Sequence, residues 1–124
     1  MSDQRGPMNH LNIIEQRANA ATEGPWEMYR PHHASGFHSI TGGTGGTDNL
    51  ADDVSEANAE FIAHARDDVP KLVAALKAVL AMHSEEHQHY SPFVGSTVVT
   101  CFACGEPTPC PTVRTITKAL EVEL

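Results

Sequence analysis

The sequence predicts an α+β fold: a small antiparallel sheet of short strands packed on three to four helices, with a C-terminal zinc knuckle. Three observations lead there. Apolar residues recur at spacings of three and four in separate stretches, most clearly at Val69, Leu72, Val73, Leu76, Val79 and Leu80. Short β-prone runs bounded by Gly and Pro lie between these stretches, without a βαβ unit. Cys101, Cys104 and Cys110 fall within ten residues of one another, ahead of a last helical stretch.

The chain of 124 residues fits one domain, 1–124. A domain of this size buries only about two-thirds of the surface its unfolded chain exposes, so a metal staple adds materially to a modest core. Aromatics are 6% of residues, which leaves Leu, Ile, Val and Ala to build that core.

Residues 1–8 read as flexible. Asn9 caps a first helix running to about Ala21, with Leu11, Ile14, Ala18 and Ala21 as its apolar stripe. Gly24-Pro25 stops it, and 25–30 form a short strand anchored by Trp26. Residues 31–50 are rich in Gly, Thr, Ser and His and read as loop-rich, with a second strand at 37–41 and a turn or mobile loop at 41–47. A third strand covers 50–54. Asp53 and Glu56 have the spacing of a capping box that starts a second helix. Ala57, Phe61, Ile62 and Ala65 form its apolar face. Asp67-Asp68-Val69-Pro70 then starts a third helix, because carboxylates suit the positive helix end and proline is tolerated in the first turn. Residues 84–96 are polar and read as a loop. Residues 97–124 hold a β-rich run, the zinc knuckle and a last helix, with Pro111 in its first position and Val113, Ile116 and Leu120 as its buried face.

Composition excludes several function classes. Sixteen acidic residues against eight Lys and Arg give a net charge of -8. That balance argues against nucleic acid as a general partner, because phosphate contacts need clustered cations. Arg66, Arg114 and Lys118 are the plausible contacts for a nucleic-acid-associated zinc regulator. No run approaches the roughly 18 apolar residues of a membrane helix. The N-terminus has no apolar signal stretch. A soluble, cytoplasmic protein is expected, in the host cell cytoplasm if a phage encodes it.

In a reducing compartment, three cysteines are ligands or catalysts rather than a disulfide framework. Cys101-x2-Cys104 is a knuckle spacing: two thiolates grip one tetrahedral ion while the turn points backbone amides at the sulfurs. Gly105 favours that turn. Cys110 stands just before the last helix, where the dipole and free amides favour a thiolate. The fourth ligand is sought among His83, His87 and His89. Residue 83 continues the apolar stripe inward after Leu80. His87 shares that face only if the helix runs one more turn, and His89 falls off it, so the order of preference is His83, His87, His89. A Cys3His set implies structural Zn2+. A deaminase pattern needs His or Cys, x, Glu, then Pro-Cys-x2-Cys; Thr100 stands where that proline belongs, and His83-Ser84-Glu85 is the near match. The expectation is therefore no enzyme, with a small zinc-dependent enzyme as the outlying alternative.

His32, His33 and His38 read as solvated loop residues. The Gly-Gly-Thr-Gly-Gly stretch lacks the Gly-Lys-Ser/Thr of a phosphate loop and reads as a hairpin tip. Asp52, Asp53, Asp67, Asp68, Glu85 and Glu86 read as caps and solvated loop carboxylates.

Residues 20–26 (Ala-Ala-Thr-Glu-Gly-Pro-Trp), 58–70, 80–83 and the tail Cys101-x2-Cys104-x5-Cys110-Pro-Thr-Val-Arg resemble small zinc-binding accessory proteins of actinobacteria and actinobacteriophages. The first two segments are also similar to early-region accessory proteins of enteric phages. The family pattern carries a histidine where His83 stands. Its aromatic before the third cysteine is Thr108 here. The resemblance implies a phage or prophage origin and an accessory role without a defined reaction. On it rests the expectation of a protein that binds a host or phage protein.

Overall fold

The helices are made by apolar stripes and the strands by short β-prone runs, and most fall where the sequence places them. A computed structural model describes residues 6–30, 36–84 and 86–122. The elements are α1 (Pro7–Ala20), β1 (Glu27–Tyr29), β2 (Phe37–Gly42), β3 (Asp48–Ser55), α2 (Glu56–Met82), β4 (Glu86–Ser91), β5 (Ser96–Cys101) and α3 (Pro111–Ala119). A 3-10 turn at Thr44–Gly46 joins β2 to β3. No helix among the described residues is long and apolar enough to cross a membrane. Where one domain is expected, contacts gather into two compact units, Ile14–Val73 and Met1–Ile13 with Ala74–Leu124.

In the unit 14–73 the sheet order is β1-β2-β3, all antiparallel. Burial along β2 alternates, with His38, Ile40 and Gly42 inward, as the two-residue strand period requires. His38 is thus 5% exposed rather than a solvated loop residue. The Trp26 ring lies on Gly42: a Cβ there would stand 2.5 Å from the ring, so only glycine fits. The indole N–H donates to the Thr22 carbonyl at 2.9 Å. Residues 36–50 are therefore mostly paired strand rather than loop. Gly43 makes the turn at the end of β2 with φ +78° and donates its N–H to the Glu23 carbonyl.

Three sequence expectations on the helices change. Asn9 lies inside α1, which starts at Pro7, so it is no cap. The cap of α2 is Ser55, whose Oγ accepts the Asn58 N–H at 3.4 Å, whereas Asp53 is held within β3 with φ +56°. The second and third predicted helices are one helix of 27 residues with Pro70 inside it. Ala59, Ile62, Arg66, Val69, Val73, Leu76 and Leu80 are buried or half-buried. Their spacing alternates between three and four across the proline without slipping. Pro70 gives up one backbone hydrogen bond, and the unbroken apolar face offsets that loss. Leu72, on the flank of the stripe, is 64% exposed. Asp67 and Asp68 accordingly lie on exposed mid-helix positions rather than at a helix start.

In the unit containing 74–122, the predicted loop 84–96 is largely a β-hairpin. β4 pairs antiparallel with β5 from Glu86↔Cys101 to Ser91↔Ser96. Gly95, at φ +77°, closes the turn by donating its N–H to the Ser91 carbonyl at 2.8 Å. The strand was hidden because β4 is polar and exposed along nearly its whole length, so it shows no apolar alternation. Leu11 of α1 and Leu80 of α2 are buried in this unit's core. α3 begins as predicted, with Cys110 as N-cap and Pro111 in the first turn. Its most buried residue is Thr117, whose hydroxyl donates to the Val113 carbonyl at 2.6 Å; Val113, Ile116 and Leu120 are half-buried.

Candidate metal centre

Four short pieces of chain deliver one ligand atom each. His83 follows the last residue of α2 and keeps the phase of its buried stripe, three residues beyond Leu80. Its N–H donates to the Leu80 carbonyl at 3.1 Å, which holds the helix end in a tight turn. Cys101 ends β5 and is 1% exposed. Gly105, at φ +75°, returns its N–H to the Cys101 carbonyl at 2.8 Å, forming the knuckle turn that carries Cys104. The Cys101 N–H donates to the Glu106 carbonyl at 2.8 Å, and Thr108 is tied to β5 through the Val99 carbonyl. This segment sets Cys110, fully buried, at the start of α3.

The ligand atoms of His83, Cys101, Cys104 and Cys110 all lie within 4.8 Å of one another. His83 Nδ1 stands 3.5 Å from Cys101 Sγ and 3.5 Å from Cys110 Sγ. A tetrahedral ion with metal–sulfur bonds of about 2.3 Å and metal–nitrogen bonds of about 2.0–2.1 Å requires a nitrogen–sulfur edge of about 3.6 Å. The observed spacing matches that edge. Nδ1 has one in-plane hydrogen-bonding direction, and two sulfurs at equal distance share it poorly. A cation between them satisfies all three atoms. The three cysteines are free thiols.

The local field prepares the sulfurs unequally. Burial pushes the Cys110 thiol up, but the Val113 amide, the Cys104 and Cys101 thiols and the Thr112 amide more than offset it, and the pKa falls to about 7. At Cys104 the Glu106 amide pulls the thiol down. Burial and the neighbouring Cys101 and Cys110 sulfurs outweigh it and leave the thiol above its ordinary value. Cys104 is the exposed ligand of the set.

The alternative fourth ligands fall elsewhere. Glu86 pairs with Cys101 across the hairpin, so the two-residue strand period puts His87 and its partner Thr100 on the other face. His87 and His89 are exposed there, with rings stacked at 5.3 Å, and His87 meets the edge of Phe102 at 6.5 Å. The helix stops at Met82, which denies His87 the extra turn it needs. His32, His33 and Glu85 lie outside the described residues. Arg114 and Lys118 are exposed on α3, whereas the guanidinium of Arg66 sits over the Trp26 ring at 5.9 Å. Asp52 is engaged by its neighbours on the sheet. It accepts hydrogen bonds from the Ser39 hydroxyl and the Asn49 amide, which hold it below the ordinary carboxylate range.

Comparison with family models, curated proteins and solved structures returns no match, so the residues themselves carry the functional reading. Chemically, a tetrahedral ion held by all four groups has no open coordination position for water or substrate.

Proposed function

We propose that the chain is a zinc-stabilised accessory protein, in which one structural Zn2+ is held by His83, Cys101, Cys104 and Cys110 and the work is protein binding. The observation that carries the metal is the convergence of three sulfurs and one imidazole nitrogen within 4.8 Å of one another, with the nitrogen at a tetrahedral edge length from two of the sulfurs. Thiolate-rich tetrahedral sets select zinc among the common divalent ions. The ion would tie the end of α2, the β4–β5 hairpin and the start of α3 together, so that binding and folding of this part are coupled.

Support for protein binding comes from the hairpin and the knuckle. Phe93 is 98% exposed at the hairpin turn, and Tyr90, Val94 and Phe102 are each about two-thirds exposed. Apolar groups so displayed mark contact surfaces more often than single exposed residues do. The partner proposed is a host or phage protein, on the resemblance of residues 20–26, 58–70 and the cysteine tail to phage accessory proteins.

Affinity capture from host lysate tests the reading, comparing the zinc-loaded chain, the chelated chain and Phe93→Ser. One specific partner retained by the zinc-loaded chain and lost by the other two is the expected result. Identical capture by all three would contradict the proposal.

A further inference from the structure

The β4–β5 hairpin leaves one strand edge open, apart from the turn and knuckle on which the proposed function rests. Sheet edges are normally blunted against further pairing. β1 is only three residues long. β3 pairs with register shifts and carries Asp48, Asp52 and Asp53, the last with φ +56°. The outer edge of β5 is closed by its own chain: the Cys101 N–H donates to the Glu106 carbonyl, the Thr108 N–H donates to the Val99 carbonyl, and Thr100 bridges to Pro107. β4 has none of these devices. It runs six residues beside β5 without a register shift, and from His87 to Ser91 it holds no proline and no Asp, Glu, Lys or Arg.

The ladder fixes what that edge offers. In an antiparallel pair, opposed residues alternate between those bonded to each other and those whose N–H and C=O point away. Cys101 and Val99 bond outward, so Glu86↔Cys101, Gln88↔Val99 and Tyr90↔Thr97 are pairs of the second kind. The backbone groups of Gln88 and Tyr90 therefore point out of the open edge, and they meet no backbone partner there among the described residues. Glu86 to Tyr90 are all exposed, so β4 is supported by β5 and little else. A two-stranded hairpin on its own is only marginally stable in water.

We propose that β4 pairs with β4 of a second copy of this chain, antiparallel about a two-fold axis at Gln88, so that the two hairpins join into one sheet. A two-fold axis perpendicular to the sheet keeps every side chain on its own face. Centred on Gln88, it sets outward N–H groups against outward carbonyls: Gln88 faces Gln88 of the second copy, and Glu86 faces its Tyr90. No like charges then stand opposite each other, which matters between chains of net charge -8. On the other face His87 meets His89 of the second copy, which extends across the axis the ring stack present at 5.3 Å within one chain. The pairing uses up the open edge of both copies, and a closed interface stops further addition.

The zinc-loaded full chain is followed by sedimentation velocity from low to high micromolar concentration, and by amide hydrogen exchange. A concentration-dependent dimer is expected, with the Gln88 and Tyr90 amides protected only as it forms. Gln88→Pro removes an outward donor and nothing from the β4–β5 ladder, and proline is tolerated where the N–H faces out of the sheet. It should weaken the dimer about thirtyfold, for two hydrogen bonds lost across the axis. Gln88→Lys and Gln88→Glu should each weaken it about fivefold by setting like charges opposite, and mixing the two should restore it as a heterodimer. These two variants leave the backbone intact and keep the test open should Gln88→Pro fail to fold, which circular dichroism checks. A chain that stays monomeric throughout overturns the proposal. So does a dimer that Gln88→Pro leaves unchanged, or charge variants that pair no better mixed than alone.

Discussion

Cys104→Ser separates ligation from packing. Cys101 and Cys110 are buried, so replacing either disturbs the core whether or not a metal binds. Cys104 is exposed, and a surface Cys→Ser change away from special features alters stability by no more than about 0.5 kcal/mol. As a ligand it contributes far more. An ion that binds only the folded chain stabilises it by RT ln(1 + [metal]/Kd), so weakening the site about a thousandfold removes about 4 kcal/mol. A chain of this length unfolds with an entropy of about 0.26 kcal/mol/K, from about 2.1 cal/mol/K per residue, which converts the loss to about 15 °C in Tm. Thermal unfolding is followed by circular dichroism in excess zinc and again with chelator. The variant should melt about 15 °C lower in zinc, and the two proteins should coincide under chelation. Equal melting in zinc would refute ligation by Cys104.

Further predictions concern the scaffold. Pro70→Ala should restore the hydrogen bond lost inside α2 and stabilise by about 1–3 kcal/mol, read as a higher denaturation midpoint; a lower midpoint would mean that the proline is needed where it stands. Gly42→Ala puts a methyl 2.5 Å from the Trp26 ring and should cost about 1–3 kcal/mol with a shift in tryptophan emission, and unchanged emission would contradict the packing. Asp52 has a folded pKa below its ordinary value, so its contribution to stability is present above that ordinary value and is lost as pH falls through the folded pKa. Melting curves recorded from neutral to strongly acidic pH should therefore show a smaller acid-induced loss for Asp52→Asn than for the unaltered chain, and equal losses would contradict the assignment.

Much of the His83, Cys101, Cys104 and Cys110 cluster was legible in the sequence, because three of its members border a helix or strand and Cys104 follows Cys101 at knuckle spacing. The phase of α2 points to His83, and Pro111 after Cys110 announces the helix that Cys110 caps. The same phase also contained what the proline obscured. From Ala59 to His83 the inward positions never slip, and a chain that stopped and restarted at Pro70 would have no reason to keep them in step. Arg66 sits in that stripe, where its aliphatic stem packs while its charged end reaches Trp26, so counting it as simply polar hid the continuity. The β4–β5 hairpin was illegible for a different reason. His87, Gln88, His89 and Tyr90 are all exposed, so only backbone pairing to the β-rich run 97–100 makes them a strand. His38 reads as polar in sequence, and only the register of β2 turns it inward.

X-ray absorption at the zinc edge of the purified protein tests the central claim most directly. The account predicts one zinc per chain with three sulfurs at about 2.3 Å and one nitrogen at about 2.0–2.1 Å. A shell dominated by oxygen and nitrogen, or no bound zinc after purification without chelator, would contradict it.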